Sequence, residues 1–182
     1  MLPLESERWQ SLRTFFGESK DLPDRIRRWL KVAGRPEADP RWRDFAEQYL
    51  HQTTITDAAY AVVPYLASAL DRFPPPARLA YVINIACVES AVQKEYAPQL
   101  PDDLAGDYRS AVEHTRGAAA ELLPAPWSKP EFVGLVAALC CLHGHDQLGD
   151  ILFDPYGAVG RCPECRRYVF PENLQLPEYR KW

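Results

Sequence analysis

Residues 56–73 read TDAAYAVVPYLASALDRF, and this stretch decides the fold class. Its apolar residues recur at helical spacing, and Thr56 or Asp57 is a suitable N-cap for a helix that starts here. Pro64 lies in the helix interior, where a proline removes one backbone hydrogen bond and costs roughly 3 kcal/mol. A curved stack of helices tolerates such a kink. The stretch therefore predicts a helix inside a helical stack.

Helical patterns extend on both sides of this stretch, and proline or glycine bounds many of them. They fill residues 5–16, 22–34, 39–52, 74–96, 101–124 and 129–154. Residues 74–96 and 129–154 are apolar on most sides, which predicts that both are buried. The helices expected near Asp57 and Asp102 start about 45 residues apart, which matches the HEAT and armadillo period.

We therefore predict an all-α fold, a HEAT/armadillo-like stack in which seven helices form antiparallel pairs. The stack is expected to occupy residues 1–155 as one domain. Residues 156–182 are expected to form a short Cys-x-x-Cys hairpin and a tail, because YGAVG and RRYVF flank the cysteine pair and alternate with period two.

Charge is distributed unevenly along the chain, whose net charge is −4. Residues 101–150 carry eight acidic and three basic side chains. Such a surface disfavours nucleic acid, which needs clustered Lys and Arg, and favours a basic protein partner. The candidate partner-binding residues are Asp102, Asp103, Asp107 and Glu113. The alternative interpretation is a solvated acidic helix face.

The N-terminal residues MLPLESERWQ lack the pattern of a secretory signal, and no apolar run is long enough to span a membrane. Five cysteines are an odd number, which is typical of reduced thiols. These features predict a cytoplasmic protein without a membrane partner.

The segment YLHQTTITDAAYAVVPYLASAL, residues 49–70, resembles bacterial HEAT-like helical-repeat proteins. These share a His-Gln-x-Thr turn, an Ala-rich start, and a helix with an apolar-apolar-Pro-aromatic-Leu pattern. VGLVAALCCLHGHDQLGDILFD, residues 133–154, resembles a later helix of the same group, and the match covers roughly residues 45–153. The residues that carry it in the first segment are His51, Gln52, Thr54, Ala58, Ala59, Val63, Pro64, Tyr65 and Leu66.

Proteins of this group are often found beside polymorphic toxin genes, and some are regarded as immunity proteins. The resemblance therefore implies a protein-binding scaffold that neutralises a cognate bacterial toxin. No catalytic arrangement accompanies it: no nucleophile elbow surrounds His51, His114, His143 or His145, and the chain has no Gly-rich phosphate loop. We predict that the protein is not an enzyme.

The segment RCPECRRYVF, residues 161–170, contains the chain's one Cys-x-x-Cys. Cys162 and Cys165 form half of a zinc knuckle, and a structural zinc ion needs four ligands. Cys141 and His145 complete the set if one helix continues through both, because residues four apart share a helix face. Gly144 opposes this, since a glycine there divides the helix.

We favour metal-free, reduced cysteines, with zinc bound by Cys141, His145, Cys162 and Cys165 as the alternative and a disulfide or redox pair as a third. Zinc would make the protein a metal-dependent regulator or enzyme. A nucleic-acid adaptor that uses the basic tail is the weakest of the functional hypotheses. Its residues would be Arg161, Arg166, Arg167, Arg180 and Lys181.

Overall fold

The computed structural model describes residues 1–17, 19–31 and 40–153. Within these ranges the chain forms seven α-helices and one small hairpin, which confirms the all-α prediction. The helices are α1 (Leu22–Trp29), α2 (Pro40–Ala46), α3 (Ala58–Ala69), α4 (Pro75–Val92), α5 (Asp102–Glu121), α6 (Lys129–Leu142) and α7 (Asp146–Phe153). The hairpin strands are β1 (Leu50–His51) and β2 (Thr54–Ile55). None of the described helices is both long and apolar enough to cross a membrane.

Helix α4 lies at the centre of the fold. It begins with two prolines, Pro75 and Pro76, whose fixed φ suits the first helical turn. Its buried side chains point in several directions around the helix axis, and it packs against α3, α5, α6 and α7. A helix that is apolar around most of its circumference needs neighbours on several sides, as the sequence predicts for residues 74–96.

The four longest helices pack in an alternating pattern. Helix α3 packs against α5 and α4 packs against α6, while consecutive helices also contact each other. Between α3 and α5, the rings of Tyr60 and Tyr108 meet edge to face with centroids 5.1 Å apart. Tyr108 also donates a 2.6 Å hydrogen bond to Glu89 of α4. These contacts join α3, α4 and α5 through one buried tyrosine.

Aromatic side chains attach α1 and α2 to this group. The rings of Trp29 and Trp42 meet edge to face at 5.3 Å, and Trp42 in turn meets Tyr81 of α4 at 5.2 Å. Phe45 and Tyr49 extend the cluster, and Tyr49 is fully buried. Buried aromatic pairs of this kind contribute packing beyond their area alone.

Two features of the N-terminal half differ from the sequence prediction. Residues 5–16 were expected to be an α-helix, but only a 3-10 helix forms, at Glu7–Ser11. The segment nevertheless buries Trp9 and Leu12, so these two residues join the core without a full helix. The second difference is the hairpin, where Leu50 pairs with Ile55 and His51 with Thr54. Gln52 has a φ of 55° at its turn, a conformation that hydrophobic periodicity does not indicate.

The helical pattern over residues 129–154 forms two helices, and the break that the sequence predicts at Gly144 is confirmed. Helix α6 ends at Leu142, and Gly144 has a φ of 79°. The N–H of His145 donates to the carbonyl of Cys140 and the N–H of Gly144 donates to that of Cys141. This is a Schellman motif, in which glycine takes the left-handed position after the helix. Gly144 therefore ends the helix, and no continuous helix joins Cys141 to His145.

Helix α7 then packs back onto α6 at Gly149. A Cβ atom on Gly149 would lie 2.1 Å from Sγ of Cys141, 3.0 Å from the carbonyl oxygen of Ala137 and 3.2 Å from the backbone nitrogen of Cys141. Two of these three atoms belong to the backbone, so a side-chain rotation alone does not make room. The approach of the two helices depends on the missing side chain at this position.

We expect Gly149→Ala to destabilise the protein by about 1–3 kcal/mol, because overpacking forces backbone shifts. Urea unfolding followed by circular dichroism measures the change. The matched control is Gly117→Ala on α5, where nothing lies within 4 Å of the new Cβ. That variant should gain about 0.5–1 kcal/mol from helix propensity. Equal effects of the two substitutions would contradict the close approach of α6 and α7.

Candidate partner-binding surface

The four predicted carboxylates all lie on α5 and are exposed. Asp102 and Asp103 occupy its first turn, where the helix dipole stabilises negative charge. At 3.6 residues per turn, the residues fall into two pairs about 100° apart around the axis. Asp103 and Asp107 form one pair, and Asp102 and Glu113 form the other. The predicted carboxylates therefore lie on one helix but point in two directions from it, which we call its first and second sides.

On the first side, the N-terminal segment neutralises the acidic charge. Nε of Arg8 donates a 2.9 Å hydrogen bond to Oδ2 of Asp103, and the amino group of Met1 lies 2.5 Å from Oδ2 of Asp107. The Arg8 hydrogen bond lowers the pKa of Asp103 below its usual value and raises that of Arg8. Sequence patterns do not reveal this pairing because Arg8 is 95 positions away from Asp103.

On the second side, Glu113 accepts a 2.8 Å hydrogen bond from Arg116, which lies three residues further along α5. Arg116 also donates to the carbonyl oxygen of Leu142, so its charge lies at the C-terminus of α6, where the helix dipole favours a cation. Asp102 has no ion pair among the residues that the structure describes. Among the described residues, Asp102 is thus the predicted carboxylate whose charge is least compensated.

Two further acids of the acidic region face inward and join α7 to α4. Nζ of Lys94 lies 2.7 Å from Asp150 and 3.4 Å from Asp146. The hydroxyl of Ser90 donates a 2.7 Å hydrogen bond to the other oxygen of Asp150. The hydrogen bond to Asp150, together with the one to Asp146, raises the pKa of Lys94. Asp146 and Asp150 therefore hold the fold together, and only part of the negative charge in residues 101–150 is presented outward.

Exposed aromatic side chains surround the hairpin, and the sequence patterns did not locate them. Phe16 is 52% exposed and its ring lies 5.2 Å from that of His51 on β1. Tyr96 is 60% exposed and its hydroxyl lies 3.3 Å from the side-chain oxygen of Thr53. We call Phe16, His51, Thr53 and Tyr96 the hairpin patch. Exposed Phe and Tyr are the kind of side chain that anchors protein interfaces.

The structure separates Cys141 from His145, two of the proposed zinc ligands. Cys141 is fully buried on α6 and its Sγ faces Gly149 of α7. His145 is exposed and follows the Schellman turn, so the two residues do not share a helix face. Cys162 and Cys165 lie outside the described residues, and zinc binding through them stays a prediction.

The environment of the buried thiols does not favour metal binding. Burial raises the pKa of Cys141 to about 11 and that of Cys87 to about 12. A zinc ligand is a thiolate, so binding there would have to overcome this cost of deprotonation. In the part of the chain that the structure describes, no three His, Cys, Asp or Glu side chains form a group that could hold a metal ion.

Comparison of the chain with protein families, with curated proteins and with solved structures found no match. Two surface features remain as candidates for recognition. One is the outer side of α5 with Asp102 and Glu113, and the other is the hairpin patch.

We expect Arg8→Gln to return the pKa of Asp103 to its usual value, because the hydrogen bond that lowers it is lost. A folded pKa below the unfolded one means that the pair stabilises the fold above about pH 4, and that this contribution is lost as pH falls through the folded pKa. Carboxyl chemical shifts in an NMR pH titration measure the change. Arg109→Gln, also on α5, is the control and should leave Asp103 unchanged. The same result in both variants would exclude the pairing.

We also expect that protein purified without chelator holds no zinc through Cys141, because its thiol is buried against Gly149. Elemental analysis of the wild type, Cys141→Ala and Cys162→Ser tests this. One zinc ion per chain that is lost in both variants would overturn the expectation. Zinc that is lost only in Cys162→Ser would place the ligands in the C-terminal segment instead.

Proposed function

We propose that this protein is a protein-binding helical scaffold, and most concretely an immunity protein that binds and neutralises a cognate bacterial toxin. The observation that carries the proposal is the exposed side of α5 that bears the four carboxylates Asp102, Asp103, Asp107 and Glu113. A basic partner would be steered toward this side by its charge. The hairpin patch would add aromatic anchors for the same partner or for another part of it.

The packing pattern supports a HEAT/armadillo-like stack as the scaffold. In a two-layer stack of helix pairs, each helix packs against the next but one in the chain. The contacts of α3 with α5 and of α4 with α6 agree with that arrangement. Residues 1–155 would then be the scaffold domain, with residues 156–182 as a separate C-terminal segment. Stacks of this kind present extended surfaces that suit protein partners.

We further propose that the protein has no turnover of its own and acts in the cytoplasm. Burial raises the pKa of the Cys87 and Cys141 thiols, so neither is readily available as a thiolate nucleophile. Cys87, Cys140 and Cys141 are free thiols, which suits a reducing compartment.

The test uses the product of the gene that neighbours this one as the binding partner. We expect the variant Asp102→Asn, Asp103→Asn, Asp107→Asn, Glu113→Gln to associate at least about tenfold more slowly than wild type at low salt, with a smaller difference at high salt. Surface plasmon resonance at two ionic strengths measures both rates. Circular dichroism verifies that the variant is folded.

The control removes the same amount of charge elsewhere, through Asp24→Asn, Asp44→Asn, Asp71→Asn and Glu95→Gln, all exposed and outside α5. This control should associate at nearly the wild-type rate. If both variants slow association equally, net charge matters and the α5 surface is not the interface. A partner that binds the α5 variant as fast as wild type would also exclude this surface.

A further inference from the structure

An apolar groove runs along α4, away from the outer side of α5. It has a volume of about 410 Å³, and its walls come from α2, β1, α4 and the start of α6. Its apolar lining residues include Trp42, Leu50, Leu79 and Ile83, and Glu131 is the one charged residue among the described residues that line it. Cavities that bind small molecules have about this size, with mostly apolar walls and few polar groups.

One polar side chain, Asn84 of α4, lines this groove and is only 8% exposed. Its Oδ1 accepts a 2.7 Å hydrogen bond from the hydroxyl of the fully buried Tyr49, which orients the amide group. Its Nδ2 has no hydrogen-bond partner among the described residues. This nitrogen is not completely buried. Because Oδ1 is already bonded to Tyr49, Nδ2 is the polar atom of Asn84 that remains to face a ligand in the groove.

A ligand that covers this donor without accepting its hydrogen bond would lose binding free energy. An apolar ligand that carries an acceptor atom would satisfy Asn84 and bury the apolar walls in the same step. We propose that this groove binds a small, neutral, apolar molecule with a carbonyl group, and that the carbonyl oxygen accepts a hydrogen bond from Nδ2 of Asn84.

The observations favour a small molecule over a protein segment or a second copy of the chain. Ten described residues line the groove, whereas a standard protein interface uses about 20–30 residues on each side. The inference is independent of the proposed toxin partner, because no residue of the outer side of α5 takes part in it.

Acetophenone and ethylbenzene test the proposal on the full chain, since they differ only in a carbonyl group in place of a methylene group. In ¹H–¹⁵N NMR titrations, both compounds should shift the indole N–H signal of Trp42, which lines the groove. Only acetophenone should move the side-chain amide signals of Asn84 downfield, as a new hydrogen bond does. The proposal fails if neither compound shifts these signals, or if both move the Asn84 amide equally.

A variant pair isolates the hydrogen bond. Tyr49→Phe with Asn84→Leu replaces both partners of a buried hydrogen bond by apolar groups of similar shape, a change that is often nearly neutral for stability. The affinity for acetophenone relative to ethylbenzene should fall about fivefold in this double variant. In the control Tyr49→Phe, which keeps Asn84 but loses the hydroxyl that orients its amide, the ratio should fall less than in the double variant. An unchanged ratio in the double variant overturns the role of Asn84.

A further pair tests the location. Ala80→Phe fills the groove and should abolish binding of both compounds. The control Ala120→Phe, at an exposed position of α5, should leave the binding of both compounds unchanged. If N-acetyl-leucine methylamide, a capped amino acid, binds at least tenfold tighter than acetophenone, the occupant is a peptide segment and the proposal is overturned. A wild-type dimer that Ala80→Phe converts to a monomer, measured by light scattering, would instead identify a second copy as the occupant.

Discussion

The burial of α4 is the constraint on which the rest of the structure depends. This helix carries only two charged residues, Arg78 and Glu89, and it cannot face water along most of its length. Its neighbours α3, α5 and α6 each cover part of its surface. Where it still needs polar contacts, they are specific: Glu89 accepts from Tyr108, Asn84 accepts from Tyr49, and Ser90 donates to Asp150. The helix thus orients its neighbours as well as packing against them.

Hydrophobic periodicity was sufficient to predict the helices whose bounds depend on local sequence. Residues 74–96 and 101–124 contain α4 and α5 close to the predicted bounds, because proline starts and apolar patterns act within one helix. The 3-10 helix at Glu7–Ser11 could not be predicted in this way, because the spacing of apolar residues does not distinguish a 3-10 helix from an α-helix there. The start of α6 is also controlled locally, by a capping box in which Ser128 and Glu131 each bond to the other's backbone.

The candidate surface was less predictable than the fold, because its chemistry depends on residues distant in sequence. The acidic count for residues 101–150 overstates the outward charge. Asp146 and Asp150 bind Lys94, and Asp103 is paired with Arg8. An exposed ion pair such as Asp103–Arg8 stabilises a fold by at most about 1 kcal/mol. A binding partner can therefore take the place of Arg8 at a small cost in free energy. The surface is therefore better described as acidic side chains that pair with basic residues of the same chain, which a binding partner can displace, than as unpaired negative charge.

The N-terminal segment has a consequence for how the chain is made. Arg8 pairs with Asp103, the ring of Trp9 lies 6.3 Å from that of Tyr65, and the hydroxyl of Tyr65 donates to the carbonyl of Leu2. Because a chain is synthesised from its N-terminal side, this segment finds these partners only after α3 and the start of α5 have been synthesised. Until then the indole of Trp9 has no core to enter. Such long-range closure slows folding relative to local helix pairing, so this segment should join the native structure after α3, α4 and α5 have packed.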